Sequence, residues 1–328
     1  NSATSALHIS CLALGLSEGD VLWTSPNSYV ASANVGLLCN AEVDFVDIDS
    51  ETYNMCSTAL SMKLRDAEKN GKLPKIVMPV HFAGQSCDMI NIKKLSEKYG
   101  FKIIEDASHA IGGVYKNTKI GSCKFSDITV FSFHPVKIIT TAEGGCATTN
   151  DENIFEKLKL LSSHGVTRNP KNMVKKTLDK WVYDQISIGF NYRMSDLNAA
   201  LGLSQLLRID SFINKRNKIA KKYFQQLKNL DLKLPKQEDY NSSALHLFPI
   251  QVNNRKKIYN LLHRNDIKVN VHYRPIHTQP FWQNRGFKFG LFPNSELYYS
   301  KAISLPIFYD LNDEMQDCVI NVLQKSCL

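Results

Sequence analysis

The stretch SDITVFSFHPVKIITTAEGG, residues 126–145, presents one lysine, Lys137, among apolar and hydroxylated neighbours and closes on Gly144-Gly145. A β-rich run from Ile128 to Phe133 leads into it through Ser132 and His134. Taken alone, Lys137 reads as a strand-end lysine reaching for solvent. It becomes chemistry only if other groups converge on it. Glu105-Asp106 closes an apolar run, and open α/β sheets place ligands at the carboxyl ends of such strands. Asp106 there either caps the next helix or holds a carboxylate against a pyridine nitrogen. In the second role it keeps the ring protonated, so that the ring accepts electrons from a neighbouring carbon.

Ser108 and His109 follow within reach of the same ligand, although His109 equally suits a helix start. The hydroxyls of Ser2, Thr4 and Ser5 fall at the start of a helical pattern, where free N–H groups make a phosphate seat, and Ser132 could add another hydroxyl. Tyr29, in a turn between strand and helix, either stacks on a flat ring or packs in the core. His81 and Phe82, past another strand end, are candidates for the cavity wall. Phosphate seat, stacking aromatic, strand-end carboxylate and isolated lysine together describe a pyridoxal 5'-phosphate site. No metal site is expected.

The elements that must position these residues alternate. Helices are expected at 3–14, 30–38, 57–70, 88–100 and 151–164, and strands at 21–24, 41–49, 75–80, 101–105, 128–133 and 145–149. Such alternation predicts an α/β fold with a mostly parallel central sheet covered on both faces. Residues 165–190 are polar and broken, a candidate lid. A capped helix from Ser195 and a long amphipathic one from 209 lead to a smaller C-terminal α/β domain, with strands at 246–252 and 269–275 and helices at 254–265 and 312–325. The expected boundaries are 1–210 for the large cofactor-binding domain and 211–328 for the small one.

A chain of 328 residues with 43% hydrophobic and 22% charged residues can bury a sizeable core. No apolar run approaches membrane-spanning length, and the start lacks the pattern of a signal peptide. The net charge of +9 is diffuse, without an arginine stripe interleaved with aromatics. It reads as a basic, solvated surface, and a basic pocket for a phosphorylated or nucleotide-linked small molecule fits it as well as nucleic acid does. Eight cysteines without CxxC spacing read as reduced thiols of a cytoplasmic protein. The opening Asn1-Ser2-Ala3, with no lead-in element, reads as a cut into a domain whose N-terminal part is missing.

The motifs SATSALH (2–8), PVHFAGQSCDM (79–89), IEDASHAIGG (104–113), SFHPVKIITTAEGG (132–145), NYRMSDLNAALGLSQL (191–206) and VHYRPIH (271–277) resemble the DegT/DnrJ/EryC1/StrS family of sugar aminotransferases over nearly the whole chain. The likeness is nearest to the branch of pseudaminic acid biosynthesis; a branch acting on UDP-4-keto-arabinose shares many of the features. The resemblance implies a fold-type I pyridoxal-phosphate transferase. It implies transfer of an amino group from L-glutamate, released as 2-oxoglutarate, to a UDP-linked 4-keto-6-deoxy sugar, in a homodimer with shared active sites. Carried onto these residues, it makes Lys137 the cofactor-bearing lysine and Asp106 the partner of the pyridine nitrogen. Tyr29 becomes the stacking ring and His109 the partner of the ring hydroxyl. Thr4, Ser5 and Ser132 become the phosphate ligands, joined by Asn191 or Arg193 of a neighbouring subunit. His134, His272, Tyr273 and His277 are placed near the sugar nucleotide. A dehydratase of the same fold would carry histidine at position 137. A family member that binds without turnover, suggested by the abrupt start, and a basic nucleic-acid binder are the remaining alternatives.

Overall fold

The computed structural model describes residues 1–174, 179 and 181–326. A six-stranded mixed sheet forms the centre. Its strands are β1 (Val21–Thr24), β2 (Glu42–Phe45), β3 (Ile76–Met78), β4 (Lys102–Asp106), β7 (Ile128–Ser132) and β8 (Gly145–Thr148), in the order β2-β1-β3-β4-β7-β8. The pairings are parallel except between β7 and β8, which the short lysine-bearing loop joins as an antiparallel pair. Between β4 and β7 lies a small hairpin, β5 (Val114–Tyr115) and β6 (Thr118–Lys119).

Helices α1 (Ala3–Ala13), α2 (Ala31–Leu38) and α5 (Glu152–Ser162) pack with one another on one face of the sheet, while α3 (Ser57–Lys69) and α4 (Met89–Tyr99) cover the other. The division follows the period-2 alternation of side chains along each strand. Leu22, Ile76, Met78, Ile104, Ile128 and Val130 pack in the core with α1, whereas Trp23, Val77 and Ile103 pack with Leu60, Leu64 and Ile92. Each fully buried aliphatic side chain contributes roughly 1.5–3 kcal/mol. α1 is buried nearly all round, so its amphipathicity is weak although its placement is central.

Short strands β9 (Val166–Thr167) and β10 (Asp184–Gln185) pair within the expected lid, whose residues 175–178 and 180 lie outside the described residues. Then come α6 (Asp196–Leu206) and the long α7 (Ile209–Leu227). The small sheet, β11 (Leu232–Lys233), β13 (Phe248–Val252) and β14 (Ala302–Leu305), is antiparallel in the order β11-β13-β14. It shares a core with α7, α8 (Arg255–Arg264) and α11 (Asp313–Gln324).

The C-terminal part returns to the large domain repeatedly. β12 (Asn241–Ser242) pairs with β5. Trp282 of α9 (Pro280–Gln283), with Phe287 and Phe292, sets its ring edges on Phe45. At the start of α10 (Pro293–Lys301) the N–H groups of Asn294 and Ser295 bind the Asp47 carboxylate.

The strand expected at 269–275 does not form. Asn270 makes a single bridge to Ser304, and the chain then leaves the sheet to lie against the large domain, where Tyr273 N–H donates to Asn27 and Ile276 N–H to Pro26. Tertiary contacts override the apolar alternation there. β14 escaped the sequence reading because it is only four residues long and follows α10 directly.

Candidate active site

A cavity of about 390 Å³ opens at the carboxyl ends of β1, β3, β4 and β7. It spans the switch point where β2 and β3 leave β1 on opposite sides. Ser2, Thr4, Tyr29, Ser32, Asp106, Ser108, His109, Ser132, His134, Lys137, His272 and Tyr273 are on its wall. A larger depression of about 780 Å³ lies at the β2 edge, but its Lys63 is paired with Asp44 at 2.6 Å and it gathers no set of reactive groups.

Strand alternation separates the two acids at the end of β4. Asp106 shares the face of Ile104, under α1, and Glu105 the face of Ile103. Asp106 Oδ2 accepts from Ser32 Oγ at 2.7 Å, and Oδ1 from the Ser108 hydroxyl at 2.6 Å and its N–H at 3.1 Å. Ser28 donates to Ser32 at 2.8 Å, because Ser32 spends its one proton on Asp106. Three donors fix the buried carboxylate in place. Glu105 is buried against His81 Nε2 at 2.6 Å, Ser126 Oγ at 2.5 Å and Thr129 Oγ1 at 3.0 Å. Burial opposes its charge, but these partners together hold its pKa below the usual value. His81 therefore does not wall the cavity, and Phe82 packs in a core with Tyr53 and Tyr298. Cys87 N–H occupies the lone pair of His81 Nδ1 at 3.1 Å, so the imidazole donates from Nε2 to Glu105.

Burial pulls the Lys137 amine down to about 8, with Asp106 opposing. His109, His246 and His272 face the same lysine. Burial first and the charge of Lys137 second lower the pKa of all three, to about 4 for His272. The His246 ring lies tilted against His109, their centroids 4.5 Å apart, and its carbonyl accepts from the buried Arg216 guanidinium, which also binds the Leu245 and Ile307 carbonyls. Tyr29, 63% exposed, stands over the cavity with its ring 6.4 Å from that of Tyr273.

The N-terminus of α1 faces the cavity. Ser2 caps it by accepting from Ser5 N–H at 3.1 Å. Thr4 lines the cavity, whereas Ser5 turns its hydroxyl to Asn1 Oδ1 at 2.7 Å and is not on the wall. Gly145 lets α1 approach β8: a Cβ there would stand 2.4 Å from Ala3 N and 2.5 Å from Ser2 C. Asn191 and Arg193 do not line the cavity of their own chain; the Asn191 carbonyl accepts from Asn1, and Arg193 binds Ser163 at 3.2 Å. His277 is not on the wall either. It is buried against Glu296 at 2.9 Å and the edge of Phe292.

Residues 1–324 match the DegT/DnrJ/EryC1/StrS aminotransferase family. The chain belongs to this family. It is 37% identical to a UDP-4-amino-4,6-dideoxy-N-acetyl-beta-L-altrosamine transaminase of Campylobacter jejuni over 99% of the chain and 85% of that protein. It is 36% identical to the spore coat polysaccharide biosynthesis protein SpsC of Bacillus subtilis, over 99% of the chain and 83% of SpsC. Among solved structures it resembles Helicobacter pylori PseC, an aminotransferase involved in the biosynthesis of pseudoaminic acid. The TM-score is 0.88 at 32% identity, covering 100% of this chain and 85% of PseC.

Membership in the DegT/DnrJ/EryC1/StrS family brings the fold-type I architecture, pyridoxal 5'-phosphate as cofactor, and aminotransferase activity on nucleotide sugars at the level of the family. The donor set fits that cofactor on its own terms: an α1 N-terminus facing the cavity, a carboxylate held by three donors, a lysine inclined to lose its proton and an exposed aromatic ring. Ser32 was not singled out in the sequence; its approach to Asp106 depends on how the start of α2 docks against the end of β4. Among the described residues, no cluster of His, Cys, Asp and Glu gathers to hold a metal, and no helix is long and apolar enough to cross a membrane.

Proposed function

We propose that this chain transfers the amino group of L-glutamate to the 4-keto carbon of a UDP-linked 4-keto-6-deoxy sugar, giving the UDP-4-amino sugar of a pseudaminic acid pathway. The convergence of Lys137 and Asp106 on one cavity beside the α1 N-terminus carries the reading. The names of the Campylobacter and Helicobacter relatives support the choice of sugar.

Pyridoxal phosphate, when bound, supplies an electron sink next to the carbon that bears the amine. Lys137 would carry the cofactor, and Asp106 would pair with the pyridine nitrogen and keep it protonated. Tyr29 would cover the ring with His109 beside it, and Thr4, Ser132 and the free N–H groups of α1 would hold the phosphate. The Lys137 amine, when free, would take the proton from glutamate Cα and later deliver a proton to C4 of the sugar. Burial of that amine beside three uncharged imidazoles favours its neutral, basic form. His134, His272 and Tyr273 are assigned to the sugar nucleotide.

The working unit is a cytoplasmic homodimer in which Asn191 or Arg193 of one subunit completes the phosphate site of the other. Supporting this, α6 buries none of its residues, although its sequence, DLNAALGLSQL, is largely apolar. Incubating the protein with glutamate and a panel of UDP- and TDP-linked 4-keto sugars tests the assignment by product mass. Amination of the UDP-linked 6-deoxy sugar is expected. A preference for TDP sugars, or for another amino donor, would replace the assignment.

A further inference from the structure

The backbone N–H of Ala83, a residue held at φ +58° beside Gly84, donates to His109 Nδ1 at 3.3 Å. That nitrogen therefore carries no proton. Burial keeps the imidazole uncharged, and the neighbouring Lys137 acts in the same direction. Its single proton is consequently on Nε2, which lies 3.1 Å from Tyr273 Oη. The phenol oxygen is the acceptor in that bond, so the phenol's own hydrogen must point elsewhere. Tyr273 lines the cavity that holds Lys137. Burial first, then the charges of Asp106 and Tyr29, raise the pKa of Tyr273, and the phenol stays a donor throughout the working pH range.

We propose that Tyr273 is a catalytic hydrogen-bond donor to the carbonyl oxygen of the keto substrate, and that His109 is the positioning residue that turns its hydroxyl into the cavity. The proposal rests on the aminotransferase reading. When an amine condenses with a ketone, the C=O bond breaks, a C=N bond forms, and the oxygen leaves as water with both of its protons drawn from the incoming amine. Negative charge gathers on that oxygen as the amine attacks. Tyr273 stabilises the charge by a fixed hydrogen bond and keeps its own proton.

The holoenzyme variant Tyr273→Phe tests this. Its kcat should fall roughly 10²-fold, the usual loss for one donor at a developing oxyanion, with cofactor affinity and absorbance unchanged. His109→Gln, which retains an acceptor for Ala83 and an N–H for Tyr273, should lose less than His109→Leu. A readout without turnover uses Lys137→Ala: adding Tyr273→Phe should weaken binding of the UDP-keto sugar severalfold and leave UDP itself unaffected. Unchanged turnover, a shifted cofactor spectrum or an equal loss of UDP binding would each overturn the proposal. The half-reaction with 2-oxoglutarate reads the same donor with no sugar present. A wild type that aminates no nucleotide sugar therefore defeats the substrate assignment but still tests the phenol.

Discussion

Ser32 Oγ donates to Asp106 Oδ2 across 74 residues of sequence at 2.7 Å, tying the start of α2 to the end of β4. The contact lets one turn of helix aim the carboxylate. Asp106→Asn should weaken cofactor binding and slow Cα proton removal, because the ring nitrogen loses its anionic partner. Ser32→Ala removes one of three donors. A hydrogen bond to a charged group is worth about 1.5–3 kcal/mol, so cofactor affinity should fall about tenfold or more. Fluorescence titration of apoprotein with cofactor measures both, and equal affinities in wild type and Ser32→Ala would remove the aiming role.

Lys137 has its pKa drawn down to about 8. The neutral amine is the nucleophile, so its fraction grows as pH rises through that value. The rate at which apoprotein takes up an aldehyde cofactor should climb through about pH 8; a midpoint near the ordinary lysine value would contradict the effect of burial. Lys137→Ala should abolish both the covalent cofactor absorbance and the two transfer half-reactions.

Gly145→Ala forces a methyl into the backbone of Ser2 and Ala3, where flexible side chains cannot yield. Overpacking of this kind costs about 1–3 kcal/mol. Urea denaturation should show the loss, together with weakened phosphate-dependent stabilisation, because α1 must retreat from the lysine loop. A variant as stable as wild type would show that α1 can shift freely.

Glu105 has its folded pKa below the unfolded one. Its stabilisation is therefore fully present above the unfolded carboxyl pKa of about 4.3 and is lost as pH falls through the folded value. Glu105→Gln should destabilise the neutral protein by about 1–3 kcal/mol and flatten the acid side of the stability profile. Denaturation curves at pH 7 and below pH 4 give both quantities; parallel profiles would refute the linkage.

The alternation of β and α, and the convergence of Lys137, Asp106, Tyr29, His109 and Ser132 on one cavity, were legible because strand ends and helix starts carry local signals, whereas His134, His272 and Tyr273 were placed there by the family resemblance of their motifs. Glu105 was harder to read, since its adjacency to Asp106 suggested one site while strand alternation sends neighbouring side chains to opposite faces, and His81, past the end of β3, turns to Glu105 rather than to the cavity. His277 illustrates another gap. Its buried contact with Glu296 depends on how α10 docks, and no local pattern encodes that. Ser5 was read by position alone, yet a helix start can offer its N–H groups while a hydroxyl turns to a neighbour such as Asn1.

The proposed dimer predicts that Leu197→Glu with Leu203→Glu, on the unburied α6, will shift sedimentation from dimer to monomer without unfolding the chain. An unchanged sedimentation coefficient would place the interface elsewhere.

Although α6 buries no side chain, it touches the lysine loop: the Asn198 amide donates to the carbonyls of Thr141 and Glu143, and Gly202 faces the Thr141 methyl. A partner docked on α6 and a cofactor held by Lys137 would then act on opposite sides of the same short loop. Any free energy by which one stiffens that loop must reappear in the binding of the other. Assembly would become a titratable property, with the dimer's dissociation constant falling as cofactor is added and cofactor affinity rising with protein concentration.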